Sequence, residues 1–329
     1  MKKTLIQIAM LTAISTLPSL AKDKSQALVF PQNIKIENIA LNPEGIEYNK
    51  NNHSFLLSSL NALPILQVNL DGSHKAFTSG EKFPLSTAGL HIDYKHNKLL
   101  VAGFNGMELM DKDPKTKGTS HLRIYNLTTG IIEKDIDLSS LAPKASAYFA
   151  NDLTVDNEGN IYISDWYANL IYKVDTQGKA SIFWENTSGI MAGPNGLDFH
   201  PDGYLLVSLI KVNDKGIYNK HGLIKIPLNN PKSATVVKIT SPQFFGFDGM
   251  VIDTKGNVTG ITNNQTSAGG NMLIELTSTN AWKSAQVTQA KAIKSSTTLA
   301  QTPNNKNYVI NQDFKDNFAK TWTIQNIAF

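Results

Sequence analysis

The sequence predicts an all-β fold, a six-bladed β-propeller built from four-stranded blades. Three observations point to it: a phrase that recurs along the chain, short strands of alternating polarity bounded by turn residues, and no long helical periodicity after residue 21. Repeats of about 40–50 residues are typical of propeller blades, each of which contributes four strands.

The repeated phrase has three parts. An oxygen-bearing side chain opens a short apolar strand, a turn containing Gly follows, and a second strand leaves. Three copies are clear and three are weaker, with neighbouring copies 44 to 63 residues apart. The residues at the opening position, in chain order, are Glu44, Ala88, Asn151, Asn195, Asp248 and Thr297. We refer to these six positions as the mouth ring.

Further strands complete each repeat. The segments 170–174 and 180–184 follow the third copy, and 222–226 and 235–239 follow the fourth. Residues 28–40 and the tail 321–329 are also strand-like. We expect them to meet in one blade, because a closed ring leaves no free sheet edge.

Composition excludes several function classes. The chain has 329 residues, 41% of them hydrophobic, which is enough for a sizeable core. The formal net charge is only +4, the lysines are scattered, and Arg123 is the single arginine. Nucleic-acid binding needs a clustered basic face, so we expect no nucleic-acid partner.

The N-terminus reads as a secretory signal. Lys2 and Lys3 precede an apolar run over 5–17, and Ser19-Leu20-Ala21 provides a small-residue cleavage site. We therefore predict a signal peptide over 1–21, a single propeller domain over 22–329, and a periplasmic or secreted protein. The run is too short to favour a membrane span, although an uncleaved anchor remains the alternative. With no cysteine, the domain must be stabilised by its own core.

The mouth ring predicts a metal site. In a propeller the innermost strand of each blade lines the central channel, so the opening residues would meet at one channel mouth. Four of the six, Glu44, Asn151, Asn195 and Asp248, carry carboxylate or amide oxygens. Such hard ligands suit calcium and, to a lesser degree, magnesium or manganese. The alternative is that Asn and Asp occur there only because they favour turns.

Four short motifs resemble those of a known family in order and spacing: Pro43-Glu44-Gly45, Ala150-Asn151-Asp152, Pro194-Asn195-Gly196-Leu197 and Phe247-Asp248-Gly249-Met250. The chain resembles the SMP-30/gluconolactonase/LRE-like family of six-bladed propellers, and more distantly paraoxonases and diisopropyl fluorophosphatase. The resemblance covers essentially the whole mature chain.

The resemblance implies an exported metal-dependent hydrolase of lactones or esters. Its metal would be calcium, with magnesium, manganese or zinc as alternatives, held by Glu44, Asn195 and Asp248. Asn151 would be a fourth ligand or a substrate contact. Asp248 would act as general base for attack by water, or as nucleophile in the phosphotriesterase branch.

The chain departs from the family pattern at two mouth positions. Phe149 stands where gluconolactonase-like members often carry an arginine, which favours an apolar ring or acyl chain over a sugar acid and makes Phe149 a candidate substrate contact. Ala88 stands where paraoxonases place a functional histidine. By strand alternation we expect the nearby His91 to point away from the mouth and to be packed or solvated in its blade. Val251 replaces an acid of the phosphatase branch, so a second, structural calcium is not expected.

Two other readings stay open. A non-catalytic propeller could bind a ligand or protein and keep the metal as a structural feature, or the repeats could serve protein–protein contact without any metal. In the leading reading the partner is a small-molecule lactone or ester. We expect a monomer with no membrane span after signal cleavage.

Overall fold

The computed structural model describes residues 28–105, 118–186, 188–190, 192–212, 218–263, 271–311, 316 and 318–329. The chain divides into two compact units, Met1–Phe30 and Pro31–Phe329. Only residues 28–30 of the first unit are described. The predicted signal peptide over 1–21 lies outside the described residues and stays a prediction, as does the domain boundary at residue 22.

The described part of the second unit consists of β-strands and two short 3-10 turns, Ser139–Leu141 and Pro231–Ser233. In chain order the strands are β1 (Asn33–Glu37), β2 (Ile46–Asn49), β3 (Ser54–Leu57), β4 (Leu66–Asn69), β5 (His74–Ala76), β6 (Ser86–Asp93), β7 (Lys98–Phe104), β8 (Ser120–Asn126), β9 (Ile132–Asp137), β10 (Ala150–Val155), β11 (Ile161–Asp165), β12 (Leu170–Val174), β13 (Ala180–Glu185), β14 (Gly193–His200), β15 (Tyr204–Val212), β16 (Tyr218–Pro227), β17 (Thr235–Val236), β18 (Lys238–Ile239), β19 (Met250–Ile252), β20 (Val258–Asn263), β21 (Asn271–Thr277), β22 (Ser284–Ile293), β23 (Leu299–Gln301), β24 (Asn307–Asn311) and β25 (Thr321–Ile327).

These strands form six antiparallel blades, which confirms the predicted fold. Blades 1 to 4 are β2–β5, β6–β9, β10–β13 and β14–β17, each in sequence order from the inner strand outward. Blade 5 is β19–β22, and the short β18 adds to its outer edge in parallel with β22. The inner strands β2, β6, β10, β14, β19 and β23 each contact the next, and β23 contacts β2, so they enclose a central channel.

Blade 6 closes the ring. Its order is β23-β24-β25-β1, so the outermost strand comes from the beginning of the chain. β1 runs antiparallel to β25 from the pair Asn33↔Gln325 to the pair Glu37↔Thr321. This pairing confirms the predicted meeting of the two ends, and it removes an exposed edge from the last blade.

The core lies between neighbouring blades. Leu100 and Leu122 of blade 2 pack with Leu153 and Ile163 of blade 3 in one buried cluster, and comparable clusters join blades 1 and 2, 3 and 4, 4 and 5, and 5 and 6. Blades 6 and 1 meet where the rings of Tyr308 and Phe55 lie 4.9 Å apart. This packing on both faces explains why second strands such as β7 and β15 are nearly continuous apolar runs.

Among the residues the structure describes, no helix is long and apolar enough to cross a membrane.

Candidate metal centre

Three mouth-ring residues occupy irregular points of the inner strands, and the other three, Glu44, Asp248 and Thr297, lie just before β2, β19 and β23. The pairing of β6 with β7, of β10 with β11 and of β14 with β15 shifts register across Ala88, Asn151 and Asn195 respectively. Such β-bulges re-aim a side chain and are common next to functional sites. The repeated phrase therefore places a bulge at the channel mouth in three blades.

Glycines after the ring residues allow adjacent blades to approach closely. A Cβ at Gly45 would lie 2.2 Å from the carbonyl oxygen of Ala88, and one at Gly196 would lie 2.3 Å from that of Asp248. Both distances are far below van der Waals contact, and the obstructing atoms are backbone. The mouth can be this narrow only because these positions lack a side chain.

A cavity of about 10 Å³ lies at the mouth. Its lining includes Glu44, Asn151, Asp248 and Thr297. A cavity of this size holds roughly one water molecule or one ion. Three of the four predicted ligands thus converge on a space for a single small ligand.

The fourth predicted ligand, Asn195, does not line this cavity, but it is 3% exposed, and its side-chain oxygen Oδ1 has no hydrogen-bond partner among the described residues. A buried amide oxygen without a partner costs about 1–3 kcal/mol, and such a group in a folded protein requires an explanation. A cation at the mouth would supply the missing partner.

The donor set fits a hard divalent cation. Glu44 and Asp248 supply two carboxylates, and Asn151 and Asn195 supply amide oxygens, with no nitrogen or sulfur ligand. Within the described ranges no group of three or more His, Cys, Asp or Glu side chains could hold a metal. The ring would therefore bind a metal only with its two amides as partners of the two carboxylates.

Asp152 is a residue of the site that the sequence reading did not single out. It lines the mouth cavity and also the larger channel cavity below it. Its carboxylate accepts hydrogen bonds from the backbone N–H groups of Leu153 and Leu197, at 2.9 and 3.2 Å. Burial raises the pKa of Asp152 to about 8; these hydrogen bonds oppose the rise, and the charges of Asp198 and Asp248 add to it. The sequence does contain a signal for Asp152. The residue after the ring residue is Gly in four other blades and Thr in one, so a carboxylate at this position departs from the repeat.

The channel cavity beneath the mouth has a volume of about 240 Å³. It is lined by residues three positions after the ring residues in four blades, Glu47, His91, Asp198 and Val251, which we call the second ring. Burial raises the pKa of Glu47 and of Asp198, and the nearby His91 opposes both rises. His91, which was expected to point away from the mouth, does not line the mouth cavity; it lies in this channel cavity, with Nδ1 3.6 Å from Oε1 of Glu47.

The bulge explains the position of His91. In a regular strand, residues 88 and 91 would face opposite sides. The register shift between Thr87 and Leu90 inserts one extra residue, which reverses the alternation beyond it. Ala88 and His91 therefore both belong to the channel side of blade 2.

The side of the mouth around Ala88 is apolar. Ala88, Phe104 and Phe149 form a buried cluster, with Leu60 and Trp166 packed against it. The rings of Phe104 and Phe149 have centroids 4.0 Å apart. Phe149, the predicted substrate contact, is 8% exposed, whereas Tyr167, whose ring lies 5.7 Å from that of Phe149, is 40% exposed.

No protein-family model and no curated protein sequence matches the chain. Solved structures do match its fold. The major allergen Mala s 1 of Malassezia sympodialis superposes with a TM-score of 0.70 at 18% identity, over 91% of this chain and 97% of the allergen.

Two further propellers carry names that bear on the site. A gluconolactonase from Xanthomonas campestris has a TM-score of 0.57 at 13% identity, over 90% of this chain and 89% of its own. The calcium-binding protein regucalcin from Agrobacterium tumefaciens has a TM-score of 0.55 at 16% identity, over 88% and 92%. The structural neighbours thus include the kinds of propeller that the motif resemblance named. At these identities the likeness establishes the fold, and the activity must be argued from the site.

Proposed function

We propose that this protein is an exported hydrolase of lactones or esters that depends on a divalent metal, with calcium as that metal. The observation that carries the proposal is the convergence of Glu44, Asn151 and Asp248 on one ion-sized cavity. The unpaired Oδ1 of Asn195 supports it, and so does the fold shared with a gluconolactonase and with calcium-binding regucalcin.

Each of the four mouth residues has a distinct role in the proposed hydrolysis. When bound, a divalent cation polarises the carbonyl or phosphoryl oxygen of a substrate and stabilises the charge that develops on it. Glu44 and Asp248 balance the charge of that cation, and Asn151 and Asn195 complete its protein ligands. The carboxylate of Asp248 accepts the proton of the attacking water as general base.

The apolar side of the mouth selects the substrate. Ala88, Phe104 and Phe149 flank the ring as a buried apolar cluster, with Leu60 and Trp166 packed against it. Burial of an apolar group against such a surface is favourable by roughly 25 cal/mol per Å². A lactone or ester that carries an apolar ring or acyl chain therefore suits the site better than a polyhydroxylated sugar acid, with Asn151 and Phe149 as substrate contacts.

Export belongs to the proposal because of the N-terminal pattern over 1–21. The mature chain should begin near Lys22. N-terminal sequencing of the protein recovered from the periplasm or medium of the producing cells tests this; a cytoplasmic protein that retains residue 1 would contradict it.

The central experiment compares Asp248→Asn with Asp202→Asn. Both variants replace a carboxylate by an amide, but the side chain of Asp202 is 70% exposed at a turn. Calcium binding is measured by calorimetry after chelator treatment, and hydrolysis is measured on a panel of lactones and aryl esters. Loss of one ligand charge should weaken calcium binding in Asp248→Asn by on the order of 100-fold and abolish turnover. Wild type and Asp202→Asn should bind one calcium and lose activity in chelator.

Two results would overturn the proposal. One is a wild-type protein that neither binds calcium nor shows chelator-sensitive hydrolysis of any member of the panel. The other is full calcium binding and full turnover in Asp248→Asn.

A second function is favoured by one specific feature. Ala88, which is fully buried, places no proton-transfer group at its ring position. A non-catalytic propeller that binds a ligand or protein and keeps calcium as a structural ion would need none. This reading predicts a calcium-dependent rise in melting temperature with no turnover of the same panel.

A further inference from the structure

Three serines occupy the same place in the repeated phrase. In each of blades 1, 3 and 4, the residue two positions after the ring residue pairs with a residue of the second strand. The next residue of the chain after that partner is Ser58, Ser164 or Ser208, respectively. All three have no exposed surface. The equivalent residues of blades 2, 5 and 6 are Ala102, Ile261 and Ile310, so a hydroxyl is not a requirement of the blade itself.

Each serine holds the backbone next to a proposed metal ligand. Ser58 Oγ accepts a hydrogen bond from the N–H of Gly45, the residue after Glu44, at 2.6 Å. Ser208 Oγ accepts from the N–H of Phe247, the residue before Asp248, also at 2.6 Å.

Ser164 serves two ligands at once. Its Oγ accepts from the N–H of Asp152, the residue after Asn151, at 3.1 Å, and donates to the carbonyl oxygen of Asn195 at 2.7 Å. It therefore ties the bulge of blade 3 to that of blade 4. Together the three serines touch the main chain at, or one residue away from, all four proposed ligands.

Blade 2 shows whether the serine hydroxyl is needed to form the bulge or is associated with the proposed ligands. It has the same register shift around its ring residue, but its ring residue is Ala88 and its second strand carries Ala102 in place of serine. A bulge at the mouth can therefore form without the hydroxyl. The serine is present in three of the four blades whose ring residue is a proposed ligand. The fourth of these, blade 5, receives its hydrogen bond from Ser208 of blade 4.

We propose that Ser58, Ser164 and Ser208 are positioning residues that fix the main chain around the four metal ligands. The inference rests on the proposed metal site. Partners that orient ligands without touching the metal typically change metal affinity by about 10- to 100-fold when removed.

The test uses Ser58→Ala, Ser164→Ala and Ser208→Ala, with Ser54→Ala as the matched control. Ser54 is equally buried and lies in blade 1 at the far end of β3, where its hydroxyl donates to Asn52. For each chelator-treated protein, calcium affinity is measured by calorimetry and the free energy of unfolding by urea titration. The three variants should bind calcium about 10- to 100-fold more weakly than wild type, while Ser54→Ala keeps wild-type affinity.

A purely structural role would lower the unfolding free energy of the metal-free variants and leave calcium affinity unchanged, as in Ser54→Ala, and that result would overturn the inference. Ala102 shows that the position accepts alanine, so the variants are expected to fold. If wild type binds calcium and all four variants bind it equally, the serine inference fails and the proposed function stands. If wild type binds no calcium, the proposed function fails as well.

Discussion

The mouth ring lies in or just before the inner strands, and the second ring lies three residues further along the chain. The two rings differ in the hydrogen bonding of particular side chains. In the second ring the protein satisfies its carboxylates: Glu47 accepts from the N–H of Ile92 at 3.4 Å, and Asp198 accepts from the N–H of Ile252 at 2.7 Å. Each of these bonds joins one blade to the next. In the mouth ring, Oδ1 of Asn195 is buried and accepts no hydrogen bond from the part of the chain that the structure describes.

This difference in hydrogen bonding suggests different roles for similar side chains: a structural role in the second ring and, as proposed, a binding role at the mouth. A carboxylate that caps the backbone of the next blade has its hydrogen-bonding capacity used by the fold. A buried amide oxygen that lacks a partner among the described residues, as Oδ1 of Asn195 does, has its hydrogen-bonding capacity available for a ligand. Asp152 lies between the two cases, because it caps Leu197 of the next blade and also lines the mouth cavity.

The largest expected effect comes from a pair of substitutions on β14. Asn195→Ala should weaken calcium binding by on the order of 100-fold, and it should change the stability of the metal-free protein little, because it removes an unpaired acceptor. Asp198→Ala should lower the stability of the metal-free protein and change calcium binding little. It leaves the N–H of Ile252 and the hydroxyl of Thr154 without their acceptor, which costs about 2 kcal/mol.

Calorimetry and urea denaturation of both variants check this reversal. If Asp198→Ala lost calcium binding while Asn195→Ala kept it, the roles assigned to the two rings would be exchanged.

The second prediction concerns the closeness of the blades at the mouth. Gly196→Ala places a Cβ 2.3 Å from the carbonyl oxygen of Asp248, so the backbone that carries a proposed ligand must move. We expect a loss of about 2 kcal/mol in unfolding free energy, the usual scale for overpacking, together with weaker calcium binding. Gly103→Ala is the control, because its Cβ would meet a Leu85 side-chain atom at 3.2 Å rather than backbone. If the two variants had the same unfolding free energy and the same calcium affinity, the close approach of the blades at Gly196 would not be required at the mouth.

The smallest expected effect is a pH dependence from the second ring. Burial raises the pKa of Asp198 in the folded protein, so the folded chain keeps this proton to higher pH than the unfolded chain. The resulting stabilisation is fully present below about pH 4, the ordinary Asp value, and is lost as pH rises towards the folded-state pKa.

Comparison of wild type with Asp198→Asn, which cannot titrate there, isolates the effect. The unfolding free energy of wild type minus that of the variant should fall as pH rises above about 4 in chelator. A difference that grows with pH would mean that Asp198 is ionised in the folded channel and would remove its distinction from the mouth carboxylates.

Much of the fold could be predicted from the sequence because its cause is local and repeated. The phrase around Asn151, Asn195 and Asp248 recurs with a turn and a second strand each time, and six copies give six blades. The closing blade followed from two strand-like ends and the need to pair free edges. Glu44, Asn151 and Asp248 could be placed at one cavity because equivalent repeat positions converge on one axis.

The second ring could not be predicted in this way. Strand alternation sends His91 away from the channel side, and only the bulge at Ala88 reverses it. Bulges depend on how a strand packs between its neighbours, which a period of two does not reveal.

The sequence by itself determined the blade count, the position that opens each inner strand and the oxygen donors available there, because each of these repeats at a fixed interval. Only the tertiary structure decided which of these side-chain oxygens accept hydrogen bonds from neighbouring blades. That depends on neighbouring blades: Ser164 donates to the carbonyl of Asn195, and Asp198 accepts from the N–H of Ile252. No residue within the described ranges donates to Oδ1 of Asn195. Hydrogen bonding between residues more than 30 positions apart is set by packing around the channel axis. This packing distinguishes the ring proposed to bind a ligand from the ring whose carboxylates join neighbouring blades.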